Sequence, residues 1–234
     1  VTPELAQGVA FFVVFLFSTT LHEAGHAWAA LRGGDDTAYL GGQVSLDPIP
    51  HIRREPFGMV ILPLITAVTL GWPIGYASAP YSVEWARTHP RRAALMALAG
   101  PAANLLLLVL AFVALRIGVA ADVFVPPERA GFGMLTATEA GAAWDAAGRL
   151  LSIVFSLNLL LFVFNLLPVP PLDGSAAITL FMSKSLTRKY QELLWGSPML
   201  GFIGIFVAWQ LFPAVFRPVF SAAISLIYPG ASYG

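Results

Sequence analysis

Cysteine is absent from all 234 residues. Disulfides, a thiol nucleophile and thiolate metal sites are therefore excluded. Charge is also scarce: 11% of residues are Asp, Glu, Lys or Arg, against about 25% in an ordinary soluble domain. With 57% hydrophobic residues and a mean hydropathy of +0.75, the chain has too few polar side chains to cover a water-facing surface. It reads as a polytopic membrane protein. The 13 basic and 13 acidic residues cancel, so nothing points to a nucleic-acid partner. A basic stretch ahead of the first apolar run is missing too, since Glu4 is the only charge before His22. That favours a retained helix over a signal peptide. No long linker, low-complexity tract or repeat is visible, and a single integral membrane domain over residues 1–234 is expected.

A spanning helix needs about 20 mostly apolar residues. Four segments qualify, roughly Leu5–Leu31, Arg92–Gly118, Ala147–Leu167 and Pro198–Tyr228. Gly33-Gly34 ends the first. Pro213 is expected to kink or break the last. A fifth apolar stretch, Phe57–Ala77, contains Pro63, Gly71, Pro73 and Gly75; it either spans or enters and returns. Ala38–Pro48 mixes glycine with alternating β-branched residues, which predicts a short strand or hairpin near the membrane surface. Ala120–Gly148 reads as a mixed loop with a short surface helix. The expected fold class is thus all-α and polytopic, with about four transmembrane helices, a re-entrant or short fifth segment and a small membrane-associated strand or hairpin.

Lys and Arg favour the cytoplasmic side. Arg32, Arg53, Arg54, Arg87, Arg91 and Arg92 lie between the first and second clear spans, and Lys184, Arg188 and Lys189 follow the third. The first helix then runs outside to inside, provided that Phe57–Ala77 enters and leaves on one side.

His22, Glu23 and His26 form H-E-x-x-H inside the first apolar segment. Positions i and i+4 share a helix face, so the two imidazoles can hold one metal. Glu23 lies about 100° around the axis, within reach of a metal-bound water without being a ligand. Neutral imidazoles suit zinc, whose catalytic sites keep one open position. The metal acidifies that water, and Glu23 can take the proton and pass it to the leaving amine. Ionisable groups at the centre of a membrane helix cost roughly 2.5–3.5 kcal/mol each, so inert packing is a poor explanation for three of them. A third ligand is required. His51 and His89 are candidates, but "NLLPVPPLDG" (Asn165–Gly174) is better placed. Pro168, Pro170 and Pro171 unwind the backbone there, and such irregularity at membrane depth needs protein or water beside it. Asp173 is then aimed at a fixed point, and Gly174 lets the chain turn away. For His22, His26 and Asp173 to meet, the first and third spans must run parallel, which favours a re-entrant Phe57–Ala77.

H-E-x-x-H in one helix, paired with N-x-x-P-x-P-x-L-D-G in a later one, resembles the site-2 proteases, which are intramembrane zinc metalloproteases. "HEAGHAWAALRGGDDTA" (His22–Ala38), "SLDPIPHI" (Ser45–Ile52) and "HPRRAALMALAGPAANLLL" (His89–Leu107) resemble a compact prokaryotic branch. The likeness covers roughly Leu5 to Ser183. It implies a three-helix catalytic core, at about residues 5–183; the C-terminal helical segment at about 198–228 is read from hydropathy and lies beyond the likeness. It implies one Zn2+ per chain held by His22, His26 and Asp173, with Glu23 as the base. It also implies a prokaryotic inner (plasma) membrane, an active site toward the cytoplasm, and cleavage of a transmembrane protein such as an anti-sigma factor or another membrane-bound regulator. Some members carry an extra helix before the motif helix, and many carry PDZ or CBS domains; neither is expected here. The oligomeric state is open.

Other polar residues admit two readings. Asn165, Asn104 and Asn158 either bond across helices or donate to an oxyanion or the substrate backbone. His51 is loop decoration or a group near the cleft. His89 and the Arg pair after it are expected at the lipid headgroups. Gln43, Val44, Ser45 and Leu46 are expected to form a substrate-holding strand edge or a plain surface turn. A membrane metal-binding or transport protein remains an alternative, although it would want repeated halves. A catalytically silent relative should have lost Glu23 or a ligand.

Overall fold

The computed structural model describes residues 2–230, without the side chains of Pro3 and Glu4. Residues 1 and 231–234 of the expected single domain lie outside the described residues. Four helices are long and apolar enough to cross a membrane, at Leu5–Gly33, Pro90–Ala120, Ala142–Asn165 and Met199–Ile227. They belong to α1 (Pro3–Gly33), α6 (Pro90–Ala120), α7 (Ala142–Asn165) and α10 (Met199–Ile227). The remaining helices are short: α2 (Thr37–Leu40), α3 (Pro48–Arg54), α4 (Leu62–Leu70), α5 (Val83–Thr88), α8 (Asp173–Ala177) and α9 (Lys184–Gly196). The all-α membrane architecture is as expected.

Local chemistry sets the ends of α1. Thr2 Oγ1 accepts from the Leu5 amide, and Gly34 closes the helix in the left-handed region at φ 95°, where a Cβ would be strained. The last carbonyl, Gly33 O, accepts from Trp85 Nε1 at 3.0 Å and Arg92 Nη1 at 3.1 Å. Arg92 thus caps a helix C-terminus, where a cation is favourable.

Packing partners give the helix directions. Phe11, Val14 and Phe15 of α1 pack on Ile153 and Leu157 of α7, and Ser18 of α1 meets Asn158. Rising numbers meet rising numbers, so α1 and α7 run parallel. On α6 the order reverses: Asn104 meets Ser18, Met96 meets His26, and Ala93 packs with Ala30. The far end of the bundle is closed by Leu108, Leu115, Phe155, Ile224 and Ile227. There Arg116 Nη1 donates to Ile227 O at 2.6 Å and caps α10.

Phe57–Ala77 forms a helical arm with an extended return. A π-helical turn at Phe57–Ile61 leads into α4, together shorter than a span. The chain reverses at Gly71, φ 79°, and comes back without helix along residues 73–81. Tyr76 N donates to Gly58 O at 3.1 Å and Ser78 Oγ to Glu55 Oε1 at 2.6 Å, so both ends of the arm lie together.

Three expectations need correction. Ala38–Pro48 is neither strand nor hairpin among the described residues. Thr37–Leu40 makes one helical turn, Gly41-Gly42 turn the chain, and Asp47 starts α3 by capping Ile49 N at 2.9 Å. The substrate strand expected at Gln43, Val44, Ser45 and Leu46 is therefore a turn and bends, with Gln43 buried. Local side-chain bonds outcompete strand pairing there. The isolated bridges, Val125–Ala137 and Gly131–Met134, lie instead in the loop before α7. That loop has no separate surface helix among the described residues, because α7 already begins at Ala142. Of the kink or break expected at Pro213, the break does not occur: α10 runs on through Pro218 as well.

Asp35, just past α1, ties the end of that helix to the end of the return segment at Ser82. It is 4% exposed; Oδ1 accepts from Thr37 N at 3.0 Å and from Thr37 Oγ1, and Oδ2 from Ser82 N at 2.7 Å. Burial pushes its carboxyl up, but the bonds from Thr37 and Ser82 outweigh this and leave it below its ordinary 3.8. A depressed folded pKa stabilises the fold above the unfolded value, and that contribution is lost as pH falls through the folded one. Asp35→Asn is expected to cost about 1.5–3 kcal/mol at pH 7, read as a lower thermal midpoint in detergent, with the gap to wild type closing below pH 3.8.

Candidate metal centre

His22, Glu23 and His26 lie on α1, two to three turns before its end, and are buried at 7%, 4% and 7% exposure. Asp173 arrives from the other side. After α7, Pro168, Pro170 and Pro171 deny the chain further helix, and Asp173 becomes the first residue of α8. Gly174 matters by close approach here: a Cβ on it would collide with the Leu166 and Leu167 carbonyls at the foot of α7. The loop folds back tightly and brings Asp173 up to α1.

The candidate ligand atoms converge. His22 Nε2 is 3.0 Å from His26 Nε2 and 3.1 Å from Asp173 Oδ2, and His26 Nε2 is 3.3 Å from Asp173 Oδ1. All three residues offer one donor atom within 4.8 Å of the others.

The outer ring nitrogens fix what the inner ones carry. His26 Nδ1 is 2.8 Å from Met96 O. A carbonyl only accepts, so Nδ1 holds the proton and Nε2 presents its lone pair. His22 Nδ1 is 2.6 Å from Asn104 Oδ1 and is held in the same sense. In the neutral pair, two Nε2 lone pairs then face each other beside a carboxylate. That arrangement repels itself unless a cation lies between, as in ligand sets whose outer nitrogens are bonded to carbonyls. Asp173 Oδ2 and Glu23 Oε2 are buried without a hydrogen-bond partner. The opposite wall is Gly100 of α6, where a Cβ would run into Nε2 of both histidines. The donor set, its polarity and this gap all fit a zinc ion.

A cleft of about 590 Å³ opens over the centre. Its walls include Thr19 of α1, Asn165 of α7, the return segment Gly75–Ala79, Tyr190 and Trp195 of α9, and Leu200 and Gly201 of α10. Asn165 donates from Nδ2 to Leu161 O at 3.0 Å and faces this cleft. Asn104 and Asn158 are 0% exposed and bonded to each other at 2.9 Å. His51 is buried, donates from Nε2 to Ser45 O at 3.0 Å, and lies outside the cleft lining. His89 stacks on Trp85. Among the described residues, Gln43, Val44, Ser45 and Leu46 do not line the cleft.

Two lining elements were missed in the sequence. The return segment carried a signal in Pro73 and Gly75, which disfavour continued helix. Helix α9 carried one in Ser183, which caps Leu186 N at 3.3 Å, and in apolar residues at helical spacing. Burial pushes the Tyr190 hydroxyl of α9 up, against a bond with Ser175.

Gly100→Ala is expected to leave a folded protein that purifies with little zinc, measured as metal per chain. Full zinc content would contradict the packing.

Residues 10–205 match the family described as peptidase family M50. The candidate zinc metalloprotease YwhC of Bacillus subtilis is 31% identical over 230 residues, covering 88% of this chain and 92% of its own length. The candidate zinc metalloprotease Rip2 of Mycobacterium tuberculosis is 35% identical over 181 residues, covering 76% of this chain and 60% of its own. Rip2 of Mycolicibacterium smegmatis is 31% identical over 222 residues, covering 93% and 73%. No solved structure matches the chain.

Proposed function

The chain belongs to peptidase family M50, the site-2 proteases, and from that premise we propose an intramembrane zinc endopeptidase that cuts in or beside a transmembrane segment of another membrane protein. A zinc metalloprotease is what the family membership makes it, with Zn2+ as cofactor. The observation that carries the finer reading is the convergence of His22, His26 and Asp173 within 4.8 Å, with both histidines and Glu23 on an apolar helix long enough to span a membrane.

In this reading His22, His26 and Asp173 hold the metal. Bound zinc supplies Lewis acidity, which acidifies a water and polarises a carbonyl. Glu23 takes the proton of the attacking water on its buried, unpartnered Oε2. It returns that proton to the leaving nitrogen as the C–N bond breaks. Asn165, at the cleft wall, orients the substrate backbone. Peptide bonds in a helix are shielded by their own hydrogen bonds, so the cut segment must be extended. The non-helical run of residues 75–79 along the cleft offers a parallel backbone for it. Residues 57–77 re-enter the bilayer rather than cross it, and the whole chain acts as one membrane protease domain. The reading puts the centre near the cytoplasmic face of a prokaryotic inner membrane, with Arg53, Arg54 and Arg91 on that side.

Glu23→Gln is expected to keep wild-type zinc content and lose about 100-fold or more in cleavage of a detergent-solubilised transmembrane substrate. Equal cleavage by both proteins would remove Glu23 from the chemistry. The cysteine-free background also permits a direct topology test. Arg53→Cys and Lys189→Cys should react with an impermeant maleimide only from the cytoplasmic side, and Glu128→Cys only from outside. The opposite pattern would invert the orientation.

A further inference from the structure

The two imidazoles are held by unlike partners. His26 Nδ1 meets a backbone carbonyl, which has one polarity. His22 Nδ1 meets Asn104, whose amide has two ends of nearly the same shape. Flipped, Asn104 would donate to Nδ1, move the His22 proton to Nε2, and point a hydrogen at the metal position.

We infer that Asn158 and the Val154 carbonyl lock Asn104, and through it His22, in the single polarity that leaves Nε2 open to a cation. The purpose of the lock rests on the zinc reading above; its geometry does not. Val154 O only accepts, and it lies 2.8 Å from Asn158 Nδ2. That atom must be the amide nitrogen, which turns Asn158 Oδ1 the other way. Asn158 Oδ1 lies 2.9 Å from Asn104 Nδ2. A nitrogen is required there as well, and Ser18 O, 3.4 Å from the same atom, asks for the same. Asn104 Oδ1 is thereby left for His22 Nδ1 at 2.6 Å, and an amide oxygen only accepts. Flipping Asn158 would set its oxygen against Val154 O, and flipping Asn104 alone would set two amide oxygens together. Ser18, Asn104 and Asn158 are each 0% exposed, so water does not relax either choice. Asn104 and Asn158 are positioning residues in this scheme.

The test uses the full chain in detergent, labelled with 15N-histidine. One readout is the protonation of His22 Nδ1 in the metal-free protein; the other is zinc affinity by chelator competition. Wild type should show Nδ1 protonated. Asn158→Leu should show a population with bare Nδ1 and bind zinc about 10–100-fold more weakly. Asn158→Asp, kept neutral by burial, can donate its hydroxyl to Val154 O and accept from Asn104, and should stay near wild type in both. A bare Nδ1 in wild type overturns the lock, and so does a folded Asn158→Leu with unchanged affinity. Equal losses in Asn158→Leu and Asn158→Asp also overturn it, because packing would then explain both. If Asn158→Leu fails to fold, the wild-type spectrum and Asn158→Asp still decide. A wild type that keeps the Nδ1 proton but binds no zinc leaves the lock standing and sinks the zinc reading.

Discussion

Two imidazoles and two carboxylates in an apolar bundle must share one counter-charge or the bundle will not tolerate them. Most of the architecture follows from that. Both histidines spend their outer nitrogens on α6, so their inner lone pairs and Asp173 face one point. That point needs α1 and α7 to run parallel, with Asp173 delivered just past the end of α7. It also needs a wall that carries no side chain.

Helix α6 is that wall. Met96, Gly100 and Asn104 follow each other at intervals of one turn and so share a face. They present in order a carbonyl to His26, a gap to the metal position and an amide oxygen to His22. The two helices come close because Gly25 of α1 lies against the Ala99 carbonyl of α6, where a Cβ would be 2.8 Å from that oxygen. Small residues at a membrane helix contact allow such approach. Asn158 of α7 then reaches across to α6, so the three central helices are joined by polar bonds at the depth of the centre.

The convergence of His22, His26 and Asp173 was legible because its signals are local. H-E-x-x-H needs only helical spacing, and the prolines before Asp173 announce an unwound backbone. The parallel α1 and α7 followed from geometry alone. What was not legible depends on partners far along the chain. Asn104 and Asn158 read equally well as substrate donors or helix glue, and only their burial against Ser18, Val154 and His22 separates the two. The strand expected at Ala38–Pro48 failed because alternation in a Gly-rich stretch does not supply a partner, while Asp35 holds the Thr37 amide and Asp47 caps α3. The extended run beside the cleft arose where proline and glycine interrupt an apolar arm.

Whether His22, His26 and Asp173 share a single zinc ion is tested most directly by zinc X-ray absorption on the purified chain. The account predicts one zinc per chain, with two imidazole nitrogens and carboxylate oxygen in the first coordination sphere, and loss of the carboxylate contribution in Asp173→Asn. A zinc spectrum without imidazole scattering, or one unchanged by Asp173→Asn, would contradict it.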